Sequence, residues 1–170
     1  MRINFLLPAL VIIVLWVIII GVHSFYRKKQ IVLRQEIINL LLLGSILWII
    51  GMTIFPLEIG MPDRYSRPSN NFVPFSSIKD LLSHSYSMVP LRNIAGNIIL
   101  FVPLGFMLAL KFSKLNSLIR IGSVGLLIST VIELIQLSLP IRAFDIDDII
   151  LNTLGTMIGF FAMKILGNIV

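Results

Sequence analysis

The chain has 170 residues, of which 57% are hydrophobic and 13% charged, and its mean hydropathy is +0.99. That is more apolar surface than one water-soluble domain of this size buries, so a bilayer must act as its solvent and almost no soluble domain is left over. The net charge of +6 and pI near 10.1 do not point to nucleic acid, because the basic residues stand in short runs beside apolar segments, where they set membrane orientation and meet anionic headgroups.

With no cysteine there are no disulfides or thiolate metal sites, and the two histidines, His23 and His84, are isolated. Neither a metal nor a cofactor is expected.

Five apolar stretches approach the roughly 20 residues a helix needs to cross about 30 Å of hydrocarbon. The first, Ile3 to Val22, lacks a small-residue cleavage site and reads as a retained helix, with Pro8 near its start where proline is tolerated. The second runs from Ile37 to Phe55 and stops at Pro56. A long connection follows to Arg92. Its first half, to Asn71, carries proline, glycine and scattered charge and reads as irregular. In its second half Ser77 would cap a short helix, with Asp80 three residues on and Ile78, Leu81, Leu82 and Ser85 sharing a weakly apolar face. That helix would lie on the outer membrane surface; the alternative is a loop packed over the helix ends.

The third stretch, Ile94 to Leu110, contains Pro103 and Gly105, the fourth, Ile121 to Leu139, contains Glu133 and Gln136, and the fifth, Ile149 to Leu166, contains Asn152. The expected fold is all-α: a polytopic helical membrane protein with about five transmembrane helices plus a short outer-surface helix. Residues 1–66 would hold two transmembrane helices and a basic cytoplasmic loop, and residues 67–166 a core of three. Gly155 and Gly159 form a GxxxG pair suited to close helix approach, within the molecule in preference to a dimer. Gly96 and Gly105 are likewise expected where another backbone comes close.

Orientation follows from lysine and arginine. Arg27, Lys28, Lys29, Arg34, Lys111, Lys114, Arg120 and Lys164 put eight basic residues on one side, packed near helix ends, against six on the other, mostly diluted over the long connection. The dense side should be cytoplasmic, giving an outside N terminus and an inside C terminus.

Under that topology the polar residues inside the apolar segments all fall on the outer half of helices three to five. Arg92, Asn93 and Asn97 open the third. Glu133 lies roughly 9 Å below the outer boundary of the fourth, where an unpaired carboxylate costs up to a few kcal/mol. Gln136 is one turn on, and beyond Pro140 come Arg142, Asp145, Asp147 and Asp148. Asp145, Asp148 and Asn152 share a stripe if the fifth helix begins early. Two readings stand side by side: an outward-facing cleft that binds a ligand, or a polar clasp holding three helix ends together.

There is no GxSxG, Walker loop, GxGxxG before a helix, or HExxH. The segments NNFVPFSSI (Asn70 to Ile78), RNIAGNIILFVPLGFML (Arg92 to Leu108), VIELIQ with Glu133 and Gln136, and RAFDIDDIILNTLGTMIG (Arg142 to Gly159) together resemble the VanZ-like membrane proteins. The resemblance covers about Arg67 to Gly159. It implies a bacterial inner-membrane protein of the cell envelope, in a family whose founding member is associated with resistance to the glycopeptide teicoplanin.

Three mechanisms suit these residues. A binding protein would use Arg92, Asn93, Asn97, Glu133, Gln136, Arg142, Asp145, Asp148 and Asn152 to hold a membrane lipid, a lipid-linked cell-wall precursor or a lipoglycopeptide, with the asparagines as amide donors and acceptors and an arginine for phosphate. This is the preferred class. An intramembrane enzyme would use Glu133 with Asp145 or Asp148 as general acid and base on a lipid-linked cell-wall intermediate. A transporter fits poorly, since no inverted repeat or paired broken helices are visible. The Asp145, Asp147 and Asp148 cluster also has the oxygen chemistry of a divalent-cation site, a minor alternative.

Overall fold

The computed structural model describes residues 2–27, 32–58, 68–83 and 88–167. Within them the chain is an all-α membrane bundle of α1 (Leu6–Arg27), α2 (Leu33–Thr53), α3 (Ser76–Leu82), α4 (Met88–Lys111), α5 (Leu118–Leu137) and α6 (Ile146–Gly167). Four helices are long and apolar enough to cross a membrane: α2, α4 from Leu91 onward, α5 and α6. The first helix carries a shorter apolar stretch, Leu6–Val22. Two residues at each of two places, β1 (Arg2–Ile3) and β2 (Leu57–Glu58), pair antiparallel and bring the start of α1 beside the end of α2.

The centre of the bundle is α4. Its Leu100, Phe101, Leu104, Leu108 and Ala109 pack with Leu42 and Ile49 of α2, Ile121 and Ile132 of α5 and Phe160 of α6. Lipid tails are as apolar as these side chains, so burial from water does not drive this packing. Close van der Waals fit does. Glycine supplies the fit between α4 and α6, the most extensive interface in the bundle. A Cβ on Gly155 would collide with the carbonyl oxygen of Ile98, one on Gly159 with that of Val102, and one on Gly105 with that of Thr156. The GxxxG pair therefore serves packing within the chain. Gly96 differs from the expectation: a Cβ there would meet nothing within 4 Å. It sits nearer the start of α4 than Gly105, at a position that borders a cavity.

α1 meets the rest mainly at its start, where the Phe5 ring lies against Gly51 and 5.1 Å from the Phe55 ring. Further along, a 200 Å³ groove separates it from α2 between Trp16, Val17 and Ile20 on one side and Leu33, Ile37 and Leu40 on the other.

Two boundaries depart from the sequence pattern. α6 begins at Ile146, three residues early, with Asp147 and Asp148 in its first turn, where acidic groups complement the helix dipole. The short outer helix exists as α3, but Ser77 does not cap it. Ser77 lies inside the helix and accepts a hydrogen bond from Asn71 Nδ2 at 2.9 Å, while Phe75 takes the cap position with no side-chain cap bond of its own. The cap comes from Asp147. Of the face expected for this helix, Ser85 lies outside the described residues, and Leu82 is exposed.

Candidate functional site

The C-terminal ends of α2 and α5 and the N-terminal ends of α4 and α6 meet at one end of the bundle, with α3 laid across them. They enclose a cavity of 710 Å³. All nine residues singled out from the sequence as ligand contacts line it, drawn from α4, α5, α6 and the α5–α6 turn. Asp80, Asp147, Thr53 and Trp48 line it as well.

Some of these groups are spent on holding the structure. Gln136 Nε2 donates to the carbonyl oxygen of Thr53 at 2.8 Å, and Arg142 Nη2 to that of Phe55 at 2.8 Å, so α5 and the α5–α6 turn are tied to the end of α2. The segment from Asn70 to Leu82 forms a strap. Asn71 pairs with the chain entering α6, its N–H donating to Phe144 O at 2.8 Å and its carbonyl accepting from Ile146 N at 3.1 Å. Asn71 Nδ2 donates to Asp145 Oδ1 at 2.9 Å, Asn70 Oδ1 accepts the Phe144 N–H at 2.9 Å, and the Phe72 and Phe144 rings stack at 4.9 Å. Asp147 accepts from the Phe75 N–H with one oxygen and from the Ile78 N–H, at 3.1 Å, with the other.

The remaining groups look into the cavity. Glu133 is 1% exposed, and its Oε2 accepts the Asp145 N–H at 2.8 Å. It forms no ion pair with Arg92 or Arg142; Arg142 is directed at α2 and Arg92 is exposed at the rim. Asp148 accepts a hydrogen bond from Asn97 Nδ2. Asn152, 2% exposed, donates from Nδ2 to Ser129 Oγ at 2.9 Å. Its Oδ1 has no partner. Among the described residues, that oxygen and Arg142 Nε are the buried side-chain polar atoms left without a hydrogen bond. Such atoms are rare in proteins, and a water, an ion or a ligand group bound in the cavity would complete them.

The carboxyl groups do not converge as metal ligands. Among the described residues no three acidic or histidine side chains are grouped to hold an ion. The reason is local: Asp147 is turned to α3, Asp145 to Asn71 and Asp148 to Asn97.

One wall is apolar and open. Trp48 and Met52 of α2 and Ile99 of α4 border the cavity while remaining 58%, 59% and 66% exposed. The polar chamber thus reaches the flank of the bundle that hydrocarbon would cover.

Several contributors were not visible as site residues in the sequence. Thr53, Met52 and Phe55 act through backbone carbonyls, which carry no side-chain signal. Asn71 and Asn70 stood within the NNFVPFSSI segment, and paired asparagines in an irregular stretch were the available cue. Ser129 gave none, being one small hydroxyl in an apolar helix.

The sequence matches the VanZ/LLP1 family over residues 40–167, a span that starts inside α2 and ends with α6. It is 30% identical over 129 residues to Protein VanZ of Enterococcus faecium, an alignment covering 75% of this chain and 70% of that protein. No solved structure matches it.

Proposed function

The chain belongs to the VanZ/LLP1 family, and from that premise we propose that it binds a lipid-linked or lipophilic ligand, headgroup in the polar cavity, in the bacterial cytoplasmic membrane. The cavity faces outward, the N terminus lies outside and the C terminus inside, because Arg34, Lys111, Lys114, Arg120 and Lys164 stand at the opposite ends of the helices that form it. Binding there sets susceptibility to a glycopeptide of the teicoplanin type, the phenotype the family resemblance implies.

The observation that carries this reading is the pairing of a polar chamber with an apolar flank: Asn152 Oδ1, buried and without a partner, at one end, and the exposed Trp48, Met52 and Ile99 at the other. An amphipathic molecule matches both. Against a purely structural clasp stands Glu133, a buried carboxyl group with no cation beside it, an arrangement that a clasp selected for stability would avoid.

Gentle extraction followed by mass spectrometry of the lipid fraction tests the reading. A stoichiometric lipid-linked or lipophilic species should accompany the wild-type protein and be depleted when Ile99→Trp narrows the flank. Recovery of bulk lipid alone, unchanged by that substitution, overturns it.

An intramembrane acid/base enzyme acting on a lipid-linked cell-wall intermediate remains the second reading. It is favoured by one feature: Glu133 and Asp148, on adjoining helices, both border the chamber, each held by a different hydrogen-bond donor. Conversion of such an intermediate by purified protein, abolished in Glu133→Gln, would establish it in place of simple binding.

A further inference from the structure

The side chains that border the cavity bear five carboxyl groups, on Asp80, Glu133, Asp145, Asp147 and Asp148, against two guanidinium groups. The two signs are not mixed evenly. Arg92 lies exposed at the rim, and Arg142 turns its Nη2 to the carbonyls of α2. Glu133 and Asp148 therefore stand inside with no cation between them. Beside them Asn152 presents a buried carbonyl oxygen that lacks any donor, because its amide nitrogen is committed to Ser129. An amide oxygen in this position accepts only from N–H or O–H, and a buried carboxylate is stabilised most by a cation that also donates hydrogen bonds.

A phosphate suits this interior poorly. It would bring further oxygen acceptors and negative charge to a place already supplied with both, and would meet little positive charge free to balance it, Arg92 lying at the rim and Arg142 holding the α2 carbonyls with Nη2 so that only its Nε is left. A bare metal ion suits it poorly too, since no three acidic or histidine side chains are grouped among the described residues. A primary ammonium meets each demand, with one positive charge and three N–H donors on a single atom. The apolar flank at Trp48, Met52 and Ile99 then accommodates the chain that carries it.

Building on the reading of this cavity as a ligand site, we infer that it takes the protonated primary amine of an amphipathic molecule, the nitrogen lodged among Asn152, Asp148 and Glu133 and the apolar chain leaving between α2 and α4. The unpartnered Nε of Arg142 is left for an oxygen in the part of the ligand that joins amine to chain.

Trp48 gives a direct readout. The chain has two tryptophans, and Trp16→Phe, in the groove beside α1, leaves Trp48 as the sole indole. The full-length variant in phosphatidylcholine vesicles is titrated with 6-bromohexylammonium, 6-bromohexyl phosphate and 6-bromohexanol, whose bromine quenches tryptophan on contact. Saturable quenching by the ammonium probe is expected, with affinity at least about tenfold above that of the alcohol, the difference one charge-assisted hydrogen bond makes. Asp148→Asn and Asn152→Leu should each weaken it by about tenfold or more, whereas Lys111→Gln, at the far end of α4 and outside the cavity, should not.

Quenching that saturates with the phosphate probe in preference overturns the amine while leaving a ligand site in place. Equal, non-saturating quenching by all three overturns the ligand site itself. These comparisons are made on a chain with its cavity unaltered, so they do not depend on how the cavity variants fold. Repeating the ammonium titration with phosphatidylethanolamine added to the vesicles then identifies the source. Competition marks a lipid headgroup, and none marks a soluble amphiphilic amine; either result upholds the inference.

Discussion

Asp147 at the start of α6 accepts the backbone N–H of Ile78 at 3.1 Å, across 69 residues of chain. Its other oxygen takes the N–H of Phe75, whose φ of 65° lies in the left-handed region that a bulky aromatic adopts only at a cost. One carboxylate thus caps α3 from another helix and holds a backbone conformation that the local sequence disfavours. Asp147→Ala should free the strap, at a cost of about 1.5–3 kcal/mol for the loss of hydrogen bonds to a charged acceptor. Hydrogen exchange should rise at the Phe75 and Ile78 amides, with a lower melting temperature in detergent. Asp147→Asn, which keeps one acceptor, should fall between. Unchanged exchange at both amides would refute the capping role.

That contact illustrates what the sequence disclosed and what it withheld. The spanning helices were legible because about 20 apolar residues in a row have few other uses. The polar positions were legible because Glu133, Gln136 and Asn152 interrupt such runs. The strap was not. A cap supplied by Asp147 to a helix 69 residues earlier leaves no local signature, and Ser77, the better capping residue by type, drew the expectation to itself. The same holds for Gly96. A glycine between Asn93 and Asn97 resembles a packing contact in one dimension, but the position opens on the cavity. Links made by backbone carbonyls, such as Phe55 to Arg142, have no sequence signal at all.

The glycines divide accordingly. Gly155→Val and Gly159→Leu should each press against α4 backbone, and Gly105→Val against α6, which relieve such overlap only by parting the helices. Overpacking of this kind costs about 1–3 kcal/mol or more, seen as reduced membrane abundance and a lower detergent melting temperature. Gly96→Ala should leave both unaltered, since its Cβ enters open space. A destabilised Gly96→Ala protein would show that a neighbour closes over that end of α4.

The membrane orientation has a direct test. Reporter fusions after Lys29 and Lys114 should register cytoplasm, and a fusion at Ser69 the outside, because dense basic clusters near helix ends resist translocation. The ends of α2, α4, α5 and α6 that form the cavity lie opposite Lys114, so the inverse pattern would turn the cavity toward the cytoplasm and exclude an extracytoplasmic ligand.

Glu133 separates a ligand site from a structural clasp. In a clasp its charge would be balanced by arginine, and removing that charge would leave a buried cation uncompensated at a cost of several kcal/mol. Here its identified partner is the backbone N–H of Asp145, at 2.8 Å, which a neutral amide oxygen serves as well. Glu133→Gln should therefore reach the membrane at normal abundance and melt near the wild-type temperature, while the glycopeptide susceptibility of a complemented deletion strain reverts to that of the deletion. Asp148→Asn should behave alike, because Asn97 Nδ2 can still donate to the remaining oxygen. Glu133→Leu should differ, since it strands the Asp145 N–H and loses about 1–3 kcal/mol of stability. Low abundance of Glu133→Gln would establish the clasp, and normal susceptibility in all three variants would remove this cluster from the protein's function. The leucine variant makes the comparison decisive. A site that needs only an acceptor for structure but a carboxylate for function will tolerate glutamine in the first respect and fail with it in the second.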